Sequence, residues 1–112
     1  MLSPGPATKI FLACGVTDMR KSFDGLYALV KGKLDYDPLS GHLFAFCNRR
    51  RDRIKILYFD GGGLWVCACR LEKGTFHWPA GNETSLELTQ PQLHLLLGGI
   101  DLKATRKRGW LR

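Results

Sequence analysis

The sequence predicts an α+β fold: an antiparallel β-meander sheet packed against one amphipathic helix, with a second short helix near the C-terminus. Three observations carry that prediction. Apolar residues recur at helical spacing between Asp18 and Leu34. Three strand-forming runs then follow one another across connections too short for a crossover. A capping pattern at Thr89 opens a last short helix. A chain of 112 residues, 45% of them hydrophobic, suits one compact core. We expect a single domain over residues 1–102 and a basic, flexible tail over residues 103–112.

The elements follow in chain order. "MLSPGPAT" is punctuated by proline and glycine, and "KIFLAC" after it is short, apolar and rich in strand formers. In "DMRKSFDGLYALVKGKL", Met19, Phe23, Leu26, Val30 and Leu34 line one stripe, with Thr17 or Asp18 available to cap a helix running from Asp18 to Leu34. Gly25 and Gly32 each cost about 1 kcal/mol relative to alanine, so this helix depends on docking its apolar face. It should cover a sheet. "DYDPLSG" is a turn cluster, and "HLFAFC", "RIKILYF" and "LWVCACRL" read as three strands joined by the hairpin turns "NRRRD" and "DGGG". "GTFHWP" is a candidate fourth meander strand ended by Pro79, and "SLEL" a candidate edge strand. In "TQPQLHLLLGG", Thr89 and Gln92 have capping-box spacing, Pro91 falls in the first turn and Gly98 is placed to stop a helix from Gln90 to Leu97, expected to close one end of the sheet.

Charge narrows the partner classes. Seventeen Lys and Arg against ten Asp and Glu give a formal charge of +7 and a pI near 9.5, which makes a polyanion a natural partner. No apolar run approaches the ~20 residues of a membrane span. The amino terminus lacks the charged and apolar pattern of a secretory signal, so a cytoplasmic location is expected. There Cys14, Cys47, Cys67 and Cys69, each within an apolar run, are read as reduced thiols packed as small hydrophobes. No metal or other cofactor is expected: Cys67 and Cys69 form only C-x-C, and His42, His77 and His94 are scattered.

"FLACGVTDMRKSFDGL", "GHLFAF", "RIKILYFDGGG", "RLEKGTFHWP" and "LTQPQLHLLLGGID" occur in an order that resembles the TnpB accessory proteins of the IS66-type bacterial insertion sequences. The resemblance runs from about Phe11 to Asp101. It implies a role in transposition beside a separate, larger transposase that carries out strand transfer. Where members of that family usually show further aromatic or basic residues, this chain has "VCAC" at Val66 to Cys69.

The residues most suited to nucleic acid lie in "NRRRDRIK". Arg49, Arg50 and Arg51 occupy a turn, and strand alternation puts Arg53 and Lys55 with Leu57 on one face, opposite Ile54, Ile56 and Tyr58. Guanidinium forks match phosphate oxygens, and several on one rim displace counterions along a strand or duplex. The plainer reading is an edge strand kept from aggregating by its charges. A second basic element is the tail, where Lys103, Arg106, Lys107, Arg108 and Arg112 surround Trp110 in a pattern suited to phosphate neutralisation and base stacking.

Two rival functions stand beside nucleic-acid binding. One is a protein adaptor that binds the transposase without touching DNA; exposure of Tyr58, Trp65, Phe76 or Trp78 in one contiguous patch would favour it. The other is a metal-dependent nuclease built on Asp18 or Asp24 with Asp60, but nothing in the linear order brings these carboxylates together. The expectation from sequence is a non-catalytic, nucleic-acid-binding accessory protein whose partners are DNA and the transposase of the same element, with no membrane.

Overall fold

The computed structural model describes residues 7–80 and 82–97. The elements are β1 (Ile10–Ala13), α1 (Phe23–Lys31), β2 (Leu43–Cys47), β3 (Arg53–Phe59), β4 (Leu64–Arg70), β5 (Ser85–Leu88) and α2 (Gln90–Leu97). One five-stranded sheet has the order β4-β3-β2-β1-β5. The β2-β3-β4 meander is antiparallel, with Phe44 opposite Leu57 and Tyr58 opposite Trp65. "SLEL" forms the edge strand β5, antiparallel to β1.

The sheet is mixed, which corrects the expected all-antiparallel arrangement. β1 pairs parallel to β2, with Phe11 opposite Phe44. A parallel pair needs a long crossover, and the segment containing α1 between these two strands supplies it. "GTFHWP" also departs from expectation, because it joins no strand ladder. Its backbone bonds go to loops instead: Phe76 N–H donates to the Arg51 carbonyl at 2.7 Å, and Gly15 N–H donates to the Pro79 carbonyl at 3.0 Å. The alternation that suggested a strand still operates, since Phe76 and Trp78 are buried while Thr75 and His77 are exposed.

α1 is shorter than the apolar stripe implied. Asp18 Oδ1 accepts the Arg20 N–H at 2.9 Å, and its carboxylate takes the Arg20 guanidinium in a fork, with Nη2 to Oδ2 at 2.7 Å. Local side-chain bonding of this kind competes with a helical turn. The first helical bond forms only from Leu26 N–H to the Ser22 carbonyl. At the other end, Leu34 N–H reaches the Leu29 carbonyl and Asp35 adopts φ 59°, so the chain leaves the helix before Leu34. Met19 and Leu34 nevertheless pack in the same cluster as Leu26 and Val30.

Both sheet faces carry a core. Phe11, Ala13, Phe44, Phe46 and Leu57 gather with Leu26, Val30 and Leu34 of the α1 segment. Alternate residues Ile10, Leu12, Leu43, Ala45, Ile54 and Ile56 gather with Phe76, Trp78, Leu93 and Leu96. Thus α2 joins the irregular 75–80 segment in the second cluster. All five residues of β2 are buried, which explains why its sequence is a continuous apolar run instead of an alternating one. The expected capping box is present, with Thr89 N–H donating to Gln92 Oε1 at 2.9 Å and Gln92 N–H donating to Thr89 Oγ1 at 3.3 Å. Among the described residues, no helix is long and apolar enough to cross a membrane.

Candidate nucleic-acid interface

The basic hairpin between β2 and β3 is organised by Asn48. Its Oδ1 accepts the N–H groups of Asp52 and Arg53 at 3.1 and 3.0 Å, and its Nδ2 donates to Asp52 Oδ1 at 2.8 Å. The Asn48 hydrogen bond holds the Asp52 carboxyl below its ordinary range. Arg51 closes the turn with φ 61°, a left-handed conformation uncommon for residues other than glycine. Arg49 and Arg50 are exposed on this turn.

Arg51 is turned away from them. Its Nη1 donates to the Trp78 carbonyl at 3.0 Å, and its own carbonyl accepts the Phe76 N–H. It ties the hairpin to the 75–80 segment and is half-buried. The three arginines of the turn therefore do not form one rim, because only Arg49 and Arg50 face solvent fully.

β3 lies between β2 and β4. This removes the reading of its charges as protection for an edge strand. Arg53 instead sits directly opposite Arg70 of β4, and Lys55 opposite Ala68. These residues share the α1 side of the sheet by strand alternation. Lys55 Nζ donates to the Lys21 carbonyl at 2.8 Å, which fixes the ammonium beside the segment leading into α1. The nearby acid is Glu72, whose Oε2 accepts from Arg70 Nε at 3.0 Å with both side chains mostly exposed. A shallow groove of about 470 Å³ lies here, lined by Met19, Arg53, Lys55, Ala68, Arg70 and Glu72. Like charges directly opposite across strands are unfavourable, and an anion bridging them relieves that cost. Arg70 escaped the sequence reading. Its signal was the "DGGG" turn, since pairing outward from that turn sets Arg70 against Arg53.

The remaining candidates separate. Lys103, Arg106, Lys107, Arg108, Trp110 and Arg112 lie outside the described residues. Asp18 is engaged with Arg20, whose hydrogen bond holds its carboxyl at about 2. Asp60 accepts the Trp65 Nε1–H at 2.7 Å and the N–H groups of Gly62 and Gly63 at 2.8 Å each. Among the described residues, no three His, Cys, Asp or Glu side chains form a group that could hold a metal. The four cysteines carry free thiols; Cys14 and Cys47 are buried, whereas Cys69 is exposed. Burial pushes the Cys47 thiol up to about 11. Phe76 and Trp78 belong to the core, but Trp65 and Phe23 are each 46% exposed and line one groove with Leu64 and Val66.

Asp60 gives a pH prediction. The Trp65 hydrogen bond, followed by the two glycine N–H groups, lowers its pKa from 3.8 to about 2. A depressed carboxyl pKa contributes stability that is present above the unfolded value and is lost as pH falls toward the folded value. An NMR titration of the Asp60 carboxyl should therefore show a midpoint near 2. Trp65→Phe should move that midpoint upward; an unchanged midpoint would remove the indole as its main cause.

Comparison with known proteins adds the family. A family model described as "IS66 Orf2 like protein" matches residues 8–107. The chain is similar to protein y4hO of Sinorhizobium fredii (strain NBRC 101917 / NGR234), 37% identical over 101 residues that cover 90% of this chain and 88% of that protein. It is also similar to protein y4jC of the same strain, 32% identical over 108 residues that cover 96% and 92%. No solved structure matches the chain.

Proposed function

This chain belongs to the IS66 Orf2-like family of TnpB proteins, and from that premise we propose that it is a non-catalytic accessory protein of insertion-sequence transposition that holds nucleic acid by its phosphates. The observation that carries the proposal is the cross-strand arrangement of Arg53 and Arg70 with Lys55 on the same face. Arg49 and Arg50 extend this set at the hairpin turn. The basic tail, Lys103 to Arg112 with Trp110, is proposed to lengthen the footprint, and a separate transposase of the same element is the catalytic partner. Arg51 is left to its structural contact. In this reading the protein binds backbone phosphates without reading base edges, and retention is governed by salt.

The test is titration of duplex DNA, both element ends and unrelated sequence, at two salt concentrations. Arg53→Ala combined with Arg70→Ala should weaken binding to both duplexes alike. The log-log salt slope should fall by up to about 0.9 for each phosphate that is no longer neutralised. Folding should be retained, because exposed charges contribute at most about 1 kcal/mol each and this pair opposes like with like. Wild-type affinity with an unchanged slope would remove β3 and β4 from the DNA-binding surface.

A second reading rests on the exposed Phe23 and Trp65 in their shared groove. It makes that groove a contact for the transposase, with aromatic side chains as anchors. Loss of transposase retention on Trp65→Ala, with DNA affinity unchanged in the arginine variant, would favour this adaptor.

A further inference from the structure

The strand β4 ends the sheet, and among the described residues it has a strand partner on one side only. Terminal strands are ordinarily short, charged or interrupted by proline, because an open row of backbone groups templates further pairing. β5, at the other end, has four residues and includes Glu87. β4 has seven, and from Leu64 to Cys69 it carries neither charge nor proline.

Two hydrogen bonds that bracket the β3-β4 hairpin determine which groups face the open side. Asp60 N–H donates to the Gly63 carbonyl at 3.1 Å, and Leu71 N–H donates to the Asp52 carbonyl at 2.7 Å. With Tyr58 opposite Trp65, Ile56 opposite Cys67 and Ile54 opposite Cys69, antiparallel alternation makes those pairs the hydrogen-bonded ones. The N–H and C=O groups of Leu64, Val66, Ala68 and Arg70 consequently point to the open edge.

We propose that two copies of this chain pair edge to edge through β4, antiparallel about a two-fold axis at Cys67, to make one continuous ten-stranded sheet. The parity fits. Val66 then lies opposite Ala68 of the second copy, and Leu64 opposite its Arg70, as hydrogen-bonded pairs. Cys67 faces its own counterpart in a non-hydrogen-bonded pair, where side chains come closest. Centring on Cys67, the middle of the strand, pairs all seven residues; any other centre pairs fewer.

Charge favours a second copy over an unrelated strand. The Arg70 end of β4 carries Arg53, Arg70 and Lys73 against Asp52 and Glu72 and is net positive. The turn at its other end carries Asp60, so the antiparallel arrangement brings a net positive end beside an acidic turn on each side. A two-fold axis normal to the sheet also puts both Arg53 and Arg70 sets on one face. The two Arg70 positions are then roughly 20 Å apart along the strands. The pairing does not depend on whether that face holds nucleic acid.

Light scattering on the full chain over a concentration series tests the pairing, with diamide oxidation of the same samples. The wild type should approach twice the 12.6 kDa chain mass as concentration rises. Ala68→Pro should remain monomeric with an unchanged circular dichroism spectrum, since the N–H it removes faces the open edge and not β3. Diamide, which takes two electrons and two protons from a pair of thiols, should join the copies covalently. Cys67→Ser should abolish that link, and Cys69→Ser should not. A monomer at every concentration overturns the proposal, as does a dimer that forms no Cys67 link. If Ala68→Pro fails to fold, the Cys67 link alone decides between pairing and its absence.

Discussion

Phe44→Ala is expected to destabilise the protein by about 3–5 kcal/mol, the cost of deleting a fully buried aromatic ring and leaving a cavity. Phe44 is 0% exposed and lies in β2, the central strand of the sheet. Its ring stacks on Phe11, the residue paired with it across the parallel β1-β2 ladder, at a centroid distance of 5.7 Å. Phe11 in turn stacks on Tyr36 at 4.2 Å. Phe44 and Phe11 lie in one buried cluster with Leu26 and Val30 of α1, while the more exposed Tyr36 covers Phe11 from outside it, so the cavity has little freedom to close. Small domains hold only about 5–15 kcal/mol in total. A urea melt should therefore show a much lower midpoint with an unchanged slope. Phe23→Ala, on the exposed start of α1, should shift the midpoint far less. Equal effects from the two variants would contradict the burial of Phe44.

Trp78→Ala is expected to cost a similar amount, about 3–5 kcal/mol, for a different combination of reasons. The indole is buried in the second cluster, and its Nε1–H donates to the Ala13 carbonyl at 2.8 Å. The residue's own carbonyl accepts from Arg51. Trp78 thereby joins the end of β1, the irregular 75–80 segment and the basic hairpin. Trp78→Phe separates packing from hydrogen bonding, because it keeps an aromatic ring but leaves the Ala13 carbonyl without this donor. It should cost about 1–3 kcal/mol, the range for orphaning a buried polar group. Denaturant midpoints for the two variants measure the difference. If Trp78→Phe proved as damaging as Trp78→Ala, the hydrogen bond would outweigh the packing and the expected order of the two effects would be reversed.

What the sequence made legible was local. The apolar runs, the "NRRRD" and "DGGG" turns and the Thr89 to Gln92 cap each depend on neighbouring residues, and each marked a hairpin or helix start that the fold contains. The family was legible for the same reason, because its motifs are short runs in a fixed order. The candidate site was legible in part: Arg49, Arg50, Arg53 and Lys55 were named from composition and alternation. Arg70 was missed because its place opposite Arg53 is a property of two strands together.

By itself, then, the sequence determined the α+β class, the meander, the final helix, the basic balance and membership of a transposition-linked family. Only the tertiary structure decided which way β1 runs beside β2, since a long connection permits either direction. It decided that "GTFHWP" is core without being strand, because its partners are the Arg51 carbonyl and the Gly15 N–H, far off in the chain. It also turned Arg51 inward to the Trp78 carbonyl and put the open edge at β4 instead of β3. Alternation along a strand says which side chains share a face. It does not say which strand is last in the sheet, because that depends on pairings between distant segments, and so the edge and the arginine pair beside it became visible only in the assembled fold.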